Sequence, residues 1–122
     1  VQDGCILHVD RGLPCILGRR VSLGHGAIVH GSTVRDGALV AIAATVLSGC
    51  VIGEGALIAG GALLKEGTHV PPHTLWAGCP AKQLRVLTSD QRLRLESTWK
   101  NYANYAAAYL ARFGRAHIRG AR

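Results

Sequence analysis

The sequence predicts an all-β solenoid of six-residue repeats followed by one C-terminal α-helix, and three observations lead there. First, from Ile28 onward every sixth residue is large and apolar: Ile28, Val34, Val40, Val46, Ile52, Ile58, Leu64, Val70 and Trp76. An unbroken run of that length is not chance in a chain that is 48% hydrophobic. A period of six fits neither a helix nor a simple half-buried strand, so it marks a repeat architecture. Second, the residue three before each of these positions is small (Gly31, Gly37, Ala43, Gly49, Gly55, Gly61, Gly67), as tight corners require. Third, the repeat stops at Trp76-Ala77-Gly78-Cys79-Pro80, and apolar residues at helical spacing take over.

Upstream of Ile28 the phase breaks. Leu7 and Ile16 look like ladder positions, with Asp10-Arg11-Gly12-Leu13-Pro14 between them as a loop pushed out from a corner. Ser22 stands where an apolar residue is expected, which weakens the ladder there. Departures of this kind are expected near a functional site. Between Ile28 and Trp76, pairs of β-branched residues or leucines alternate with small residues and predict short strands. Coils of three six-residue faces, about 18 residues each, would stack and bury one apolar ladder along the axis. Pro71, Pro72 and Pro80 mark irregular chain beyond it.

Thr88 with Gln91 forms a capping-box pattern, so a helix is expected from about Ser89 to Phe113. Its stripe of Leu95, Trp99, Tyr102, Ala106, Tyr109, Leu110 and Phe113 should pack against the solenoid or a neighbouring subunit. The organisation expected is a solenoid over 1–87, a helix over 88–114 and a frayed basic tail over 115–122. The chain lacks methionine and begins at Val1 inside patterned sequence, so a natural amino terminus is expected upstream.

Composition narrows the function. At 122 residues the chain is one domain, with no apolar run approaching a membrane span and no secretory signal. Cys5, Cys15, Cys50 and Cys79 form no Cys-x-x-Cys pair, which argues against a zinc ribbon or dithiol redox site. Buried, reduced thiols are expected instead. The net charge of +7 arises entirely after residue 81, because residues 1–81 carry five basic and five acidic side chains. A basic C-terminal region can meet an acidic partner or an anionic membrane surface, or simply be a solvated helix face. Nucleic acid is not expected, since no base-stacking pattern accompanies the charge.

The chemistry resides in His8, His25 and His30. Each alone reads as an ordinary face residue, but three within 23 positions, two of them beside glycine, point to a metal. His25 and His30 are five apart, an odd spacing that sends side chains of one strand to opposite faces. His8 and His30 are 22 apart, one 18-residue coil plus four residues for the extruded loop. They should therefore stack on adjacent coils, with His25 serving the site of another subunit. A closed ring of three is the simplest such arrangement.

Val1-Gln2-Asp3-Gly4 followed by His8, then Leu23-Gly24-His25-Gly26-Ala27-Ile28-Val29-His30-Gly31, resembles the gamma-class carbonic anhydrase family. Leu75–Lys82 is similar to the segment by which these proteins leave the solenoid, and Asn101-Tyr102 with Tyr109 to their terminal helix. The resemblance covers nearly the whole chain. It implies a left-handed parallel β-helix and a homotrimer or related heterotrimer with a metal at each interface. Zinc is the metal implied, iron or cobalt also suiting three imidazoles. His8 and His30 would ligate from one subunit and His25 from the next. Gln2 and Tyr102 would line the catalytic pocket, and Asp3 would make contacts between subunits. The activity implied is reversible hydration of carbon dioxide to bicarbonate by a metal-bound hydroxide.

Some features differ from the family pattern. Ala41-Ile42-Ala43 stands where relatives often read Gly-Met-Gly, and the Asp10–Pro14 segment offers no convincing match to their acidic proton-transfer loop. Two alternatives stay open: a non-catalytic subunit of a larger assembly such as mitochondrial NADH dehydrogenase, and a hexapeptide acyltransferase using one histidine as general base. The first would place the protein on the matrix side of the mitochondrial inner membrane. The enzyme reading would place it in the cytoplasm.

Overall fold

The computed structural model describes residues 1–114; the basic tail expected over 115–122 lies outside them. Twelve short strands wind four coils: β1 (Ile6–His8), β2 (Ile16–Leu17), β3 (Ser22–Leu23), β4 (Ile28–His30), β5 (Thr33–Val34), β6 (Leu39–Val40), β7 (Thr45–Val46), β8 (Val51–Ile52), β9 (Leu57–Ile58), β10 (Leu63–Leu64), β11 (His69–Val70) and β12 (Thr74–Gly78). Every third strand pairs in parallel, giving three faces ordered β1-β4-β7-β10, β2-β5-β8-β11 and β3-β6-β9-β12. β13 (Ala81–Val86) returns antiparallel on β12 and closes the third face. The helix α1 (Ser89–Phe113) follows.

The core is one column of inward side chains. Leu23, Val29, Val34, Val40, Val46, Ile52, Ile58 and Leu64 are fully buried. Each such aliphatic residue contributes about 1.5–3 kcal/mol by leaving water. Two residues before most of these stands a small buried one (Ala27, Ala38, Ala44, Cys50, Ala56, Ala62), where the chain has just turned and leaves no room for more.

The register corrects the sequence reading in one respect. Val29, not Ile28, is the ladder residue, since Val29 stacks on Val46 and Ile28 is only half-buried. The step from Val29 to Val34 is five residues, so one corner is a residue short. Upstream, the ladder therefore runs through Leu17 and Leu23, paired with Val34 and Val40. Ile16 is 48% exposed, and Ser22 leaves no gap because Leu23 fills the core beside it.

The small residue three before each ladder position has a conformational cause. Gly31, Gly37, Gly49, Gly55, Gly61 and Gly67 all have positive φ, and so does Ala43 at φ 57. That conformation crowds a Cβ against the following carbonyl.

Thr88 caps α1 with the expected box: its side chain accepts from the Gln91 N–H, and the Gln91 side chain accepts from the Thr88 N–H. Packing of the helix is less extensive than its stripe suggests. Leu95 is buried and Trp99 half-buried beneath the Arg20 guanidinium, 5.0 Å from the ring centre. Tyr102, Tyr109, Leu110 and Phe113 remain exposed, since the solenoid of the same chain does not reach them.

The thiols also differ from expectation. All four are free; Cys50 is buried and Cys5 and Cys15 half-buried, but Cys79 is exposed on the β12–β13 turn. Burial pushes the Cys50 and Cys15 thiols up. In the native protein at neutral pH a thiol-specific reagent should label Cys79 first, and Cys50 should react only on unfolding; mass-resolved labelling measures the order. Replacing Ala43 by Gly should raise stability by about 0.5–1 kcal/mol, the relief of a left-handed alanine less the greater unfolded-state entropy of glycine. Thermal unfolding at fixed protein concentration checks it.

Candidate metal centre

The two irregular coils depart from the repeat at one corner. From β5 onward successive coils are 18 residues apart, as in Thr33 over Val51 and Leu39 over Leu57. Ile16 to Thr33 and Ser22 to Leu39 are 17 apart, which reflects the short corner after Val29. His8 to His30 is 22, four more than 18, because this stretch ends before the short corner. The extra residues follow His8, and the missing one follows His30. Insertion and deletion thus lie one above the other.

The inserted loop folds back on itself, with Asp10 and Leu13 exchanging both backbone hydrogen bonds at 2.9 Å. It rests on Gly31, where an added Cβ would lie 3.0 Å from the Asp10 Cβ and 3.3 Å from the Leu13 Cβ. β4 runs to three residues before the shortened corner, and His30 ends that strand in register with His8 at the end of β1.

Those histidines meet. The His8 Nδ1 is 3.2 Å from the His30 Nε2, and the rings stack with centroids 5.1 Å apart. Two nitrogens bound tetrahedrally to one zinc at ordinary bond lengths lie about 3.3 Å apart. The pair therefore fits two vertices of such a site. His8 is exposed and His30 half-buried, so an ion can reach both.

On its other side the His30 Nδ1 lies 2.8 Å from the Ser48 Oγ, and the Ser48 hydroxyl donates to Asp10 Oδ2 at 2.7 Å. Asp10 Oδ1 accepts from the Arg11 N–H at 2.8 Å. These two hydrogen bonds, with Ser48 the larger influence, hold the Asp10 carboxyl below its ordinary range. Neither Ser48 nor Asp10 was singled out by sequence. The available signal was that Ser48 follows His30 by 18 residues, one regular coil.

His25 stands elsewhere. It occupies the corner before β4, exposed, between a buried Gly24 and Gly26. A Cβ on Gly24 would come within 2.6 Å of the Ile42 backbone nitrogen, so the corner is tight. The Gly26 N–H donates to the Asp3 carbonyl at 3.1 Å, and the Ala43 N–H to the His25 carbonyl at 2.9 Å. His25 lies in the turn closed by the Ala27 N–H on the Gly24 carbonyl, with β4 between it and His30. Among the described residues no three His, Cys, Asp or Glu side chains form a group able to hold a metal.

Of the remaining candidates, Gln2 and Asp3 lie near His25. The Gln2 N–H donates to the Leu23 carbonyl at 3.0 Å, and Asp3 is exposed at the same corner. Gln2 and Tyr102 share the wall of a cleft of about 340 Å³ with Val21, Leu23, Trp99 and Ala103. One chain therefore carries His8 and His30 at the end of the first face, and His25, Asp3 and Gln2 at its start.

No protein-family profile matches the chain. Gamma carbonic anhydrase 2, mitochondrial, of Arabidopsis thaliana is 38% identical over 112 residues, which is 87% of this chain and 40% of that protein. The carbonic anhydrase of Geobacillus kaustophilus is 38% identical over 111 residues, covering 91% of this chain and 61% of that protein. The crystal structure of a hexapeptide transferase family protein from Anaplasma phagocytophilum superposes with a TM-score of 0.86 at 34% identity, over 90% of this chain and 64% of that one. The chain thus spans 40–64% of the length of these proteins. Its coil geometry and these matches identify it as a member of the gamma carbonic anhydrase family, built on the left-handed β-helix of hexapeptide repeats.

Proposed function

We propose that the chain acts as a gamma-type carbonic anhydrase, hydrating carbon dioxide reversibly to bicarbonate at a metal shared between subunits of a trimer. The observation that carries this reading is the His8–His30 nitrogen pair, spaced as two zinc ligands and lacking a third ligand among the described residues of its own chain. His25, exposed at the far end of the same face, is the donor that a neighbouring copy would supply. The interface is then head-to-tail, and three copies close it into a ring. Zinc is the ion that best suits three neutral imidazoles, with iron or cobalt as substitutes. Bound there with an open position, it would make water acidic enough to give hydroxide near neutral pH, as zinc does in carbonic anhydrases at large.

The chain's own residues would bind and orient. Val21 and Ala103 give the cleft an apolar wall suited to carbon dioxide. The Gln2 amide and Tyr102 hydroxyl on the same wall would hydrogen-bond to the oxygens of substrate and bicarbonate. Hydration would form one C–O bond as one C=O π bond of carbon dioxide opens onto its oxygen, and the proton released from water would pass to solvent or buffer. Asp3, exposed at the same corner as His25, would make contacts across the interface.

A second reading has one observation in its favour. Tyr102, Tyr105, Tyr109 and Phe113 leave an aromatic row exposed on α1, a surface that a larger partner assembly would cover. In that role the protein would be a structural subunit, for example on the matrix side of the mitochondrial inner membrane, with the basic C-terminal region at the contact.

The deciding experiment measures metal content, native mass and carbon dioxide hydration for wild type and His25→Ala. About one zinc or iron per chain in an active trimer, with metal and activity both lost in the variant, is expected. A metal-free, inactive trimer indifferent to His25→Ala would overturn the enzyme reading in favour of the structural one.

A further inference from the structure

We propose that Ser48 and Asp10 form a relay that positions His30 as a metal ligand, and that the inserted loop exists to deliver Asp10 to it. The inference rests on the metal reading of His8 and His30. Hydrogen-bond bookkeeping at Ser48 carries it. A serine hydroxyl has one proton, and here it is donated to the Asp10 carboxylate, which can only accept. The contact between the Ser48 Oγ and the His30 Nδ1 then requires the imidazole to be the donor. His30 is thereby held as the Nδ1–H tautomer, and the Nε2 lone pair points to the His8 nitrogen 3.2 Å away. That is the nitrogen a metal would use. A ligating histidine whose other ring nitrogen is tied to an oriented acceptor binds metal more tightly than an untied one.

The irregularities of the first two coils follow from this arrangement. His8, His30 and Ser48 belong to three successive coils, so Asp10 must reach from the first to the third, roughly 10 Å along the axis at ordinary strand spacing. A regular corner has too few residues to do so. The four extra residues supply the reach, and Gly31 supplies the space, since any Cβ there would press on Asp10 and Leu13. Ser48 is a positioning residue, and Asp10 acts through it.

Zinc affinity, measured by competition with a chelating indicator, tests the relay alongside native mass and the melting temperature of the metal-free protein. Ser48→Ala and Asp10→Asn should each weaken zinc about 10–100-fold. The double variant should be no weaker than Ser48→Ala, because the two act in series. Ser48→Thr, which keeps the hydroxyl, should stay near wild type, and metal-free mass and melting temperature should be unchanged throughout. Wild-type affinity in either single variant would overturn the proposal, as would a loss of affinity that tracks a fall in metal-free melting temperature. If wild type binds no zinc, the metal reading itself fails. The relay is then judged by the ¹⁵N shifts of His30 in the metal-free protein: a single Nδ1–H tautomer that becomes mixed in Ser48→Ala supports it, and a mixed tautomer in wild type overturns it.

Discussion

Each inward side chain must land on the one in the next coil, and every other feature of this protein accommodates that requirement. Most strands are two residues long, too short to be stable as separate units. They persist because each pairs with identical geometry above and below, and because a single apolar column runs through all the coils. Coil length is therefore tightly set from β5 onward. A residue gained or lost along a strand would turn the ladder side chain to solvent. The corners are where length can change, and they are also where the backbone is most strained, as Ala43 illustrates.

This explains why the histidine pair lies where it does. A regular corner places a positive-φ residue and a small buried one in succession, which leaves no extended position from which two imidazoles could stack. β4 runs one residue past Val29 before the shortened corner, and that last residue, His30, pairs in register with His8. Adding four residues after His8 allows the chain to fold over that position and reach Ser48. Both changes leave the ladder untouched, because each is confined to the corner. The rest of the solenoid acts as a rigid frame on which the histidine positions are set by strand register rather than by a flexible loop.

The architecture was legible because a six-residue period admits few alternatives, and the capping box of Thr88 and Gln91 marked the helix start. The phase near the histidines was misread for a specific reason: Ile28 and Val29 are both apolar, so either frame fits, and only Ser22 beside Leu23 hinted at the slip. Stacking of His8 on His30 followed from counting residues per coil, one regular coil of 18 plus four residues of loop. Ser48 and Asp10 were not legible, because their role depends on hydrogen bonds across coils. Asp10 was passed over as a mismatch to a family loop, whereas its significance here lies in reaching Ser48. The outer half of α1 was beyond reach for a similar reason. A stripe at helical spacing shows that a face is apolar, and says nothing of whether its cover belongs to the same chain.

Separation of folding from ligand chemistry has a further consequence. Small metal domains commonly fold only when the ion binds, because they lack a core of their own. Here fifteen buried residues form a continuous cluster that includes neither His8, His25 nor His30. The ladder can therefore close without any ion, and the histidines can be exposed at the two ends of one face at little cost to the fold. In the proposed trimer each chain would contribute a pair of ligands to one site and a single ligand to another. Metal binding would then be linked to association rather than to folding, since the ion is bound fully only where two copies meet. A preformed pair on a rigid corner lowers the ordering cost of that step, and the Ser48–Asp10 relay lowers it further by fixing which nitrogen of His30 is free.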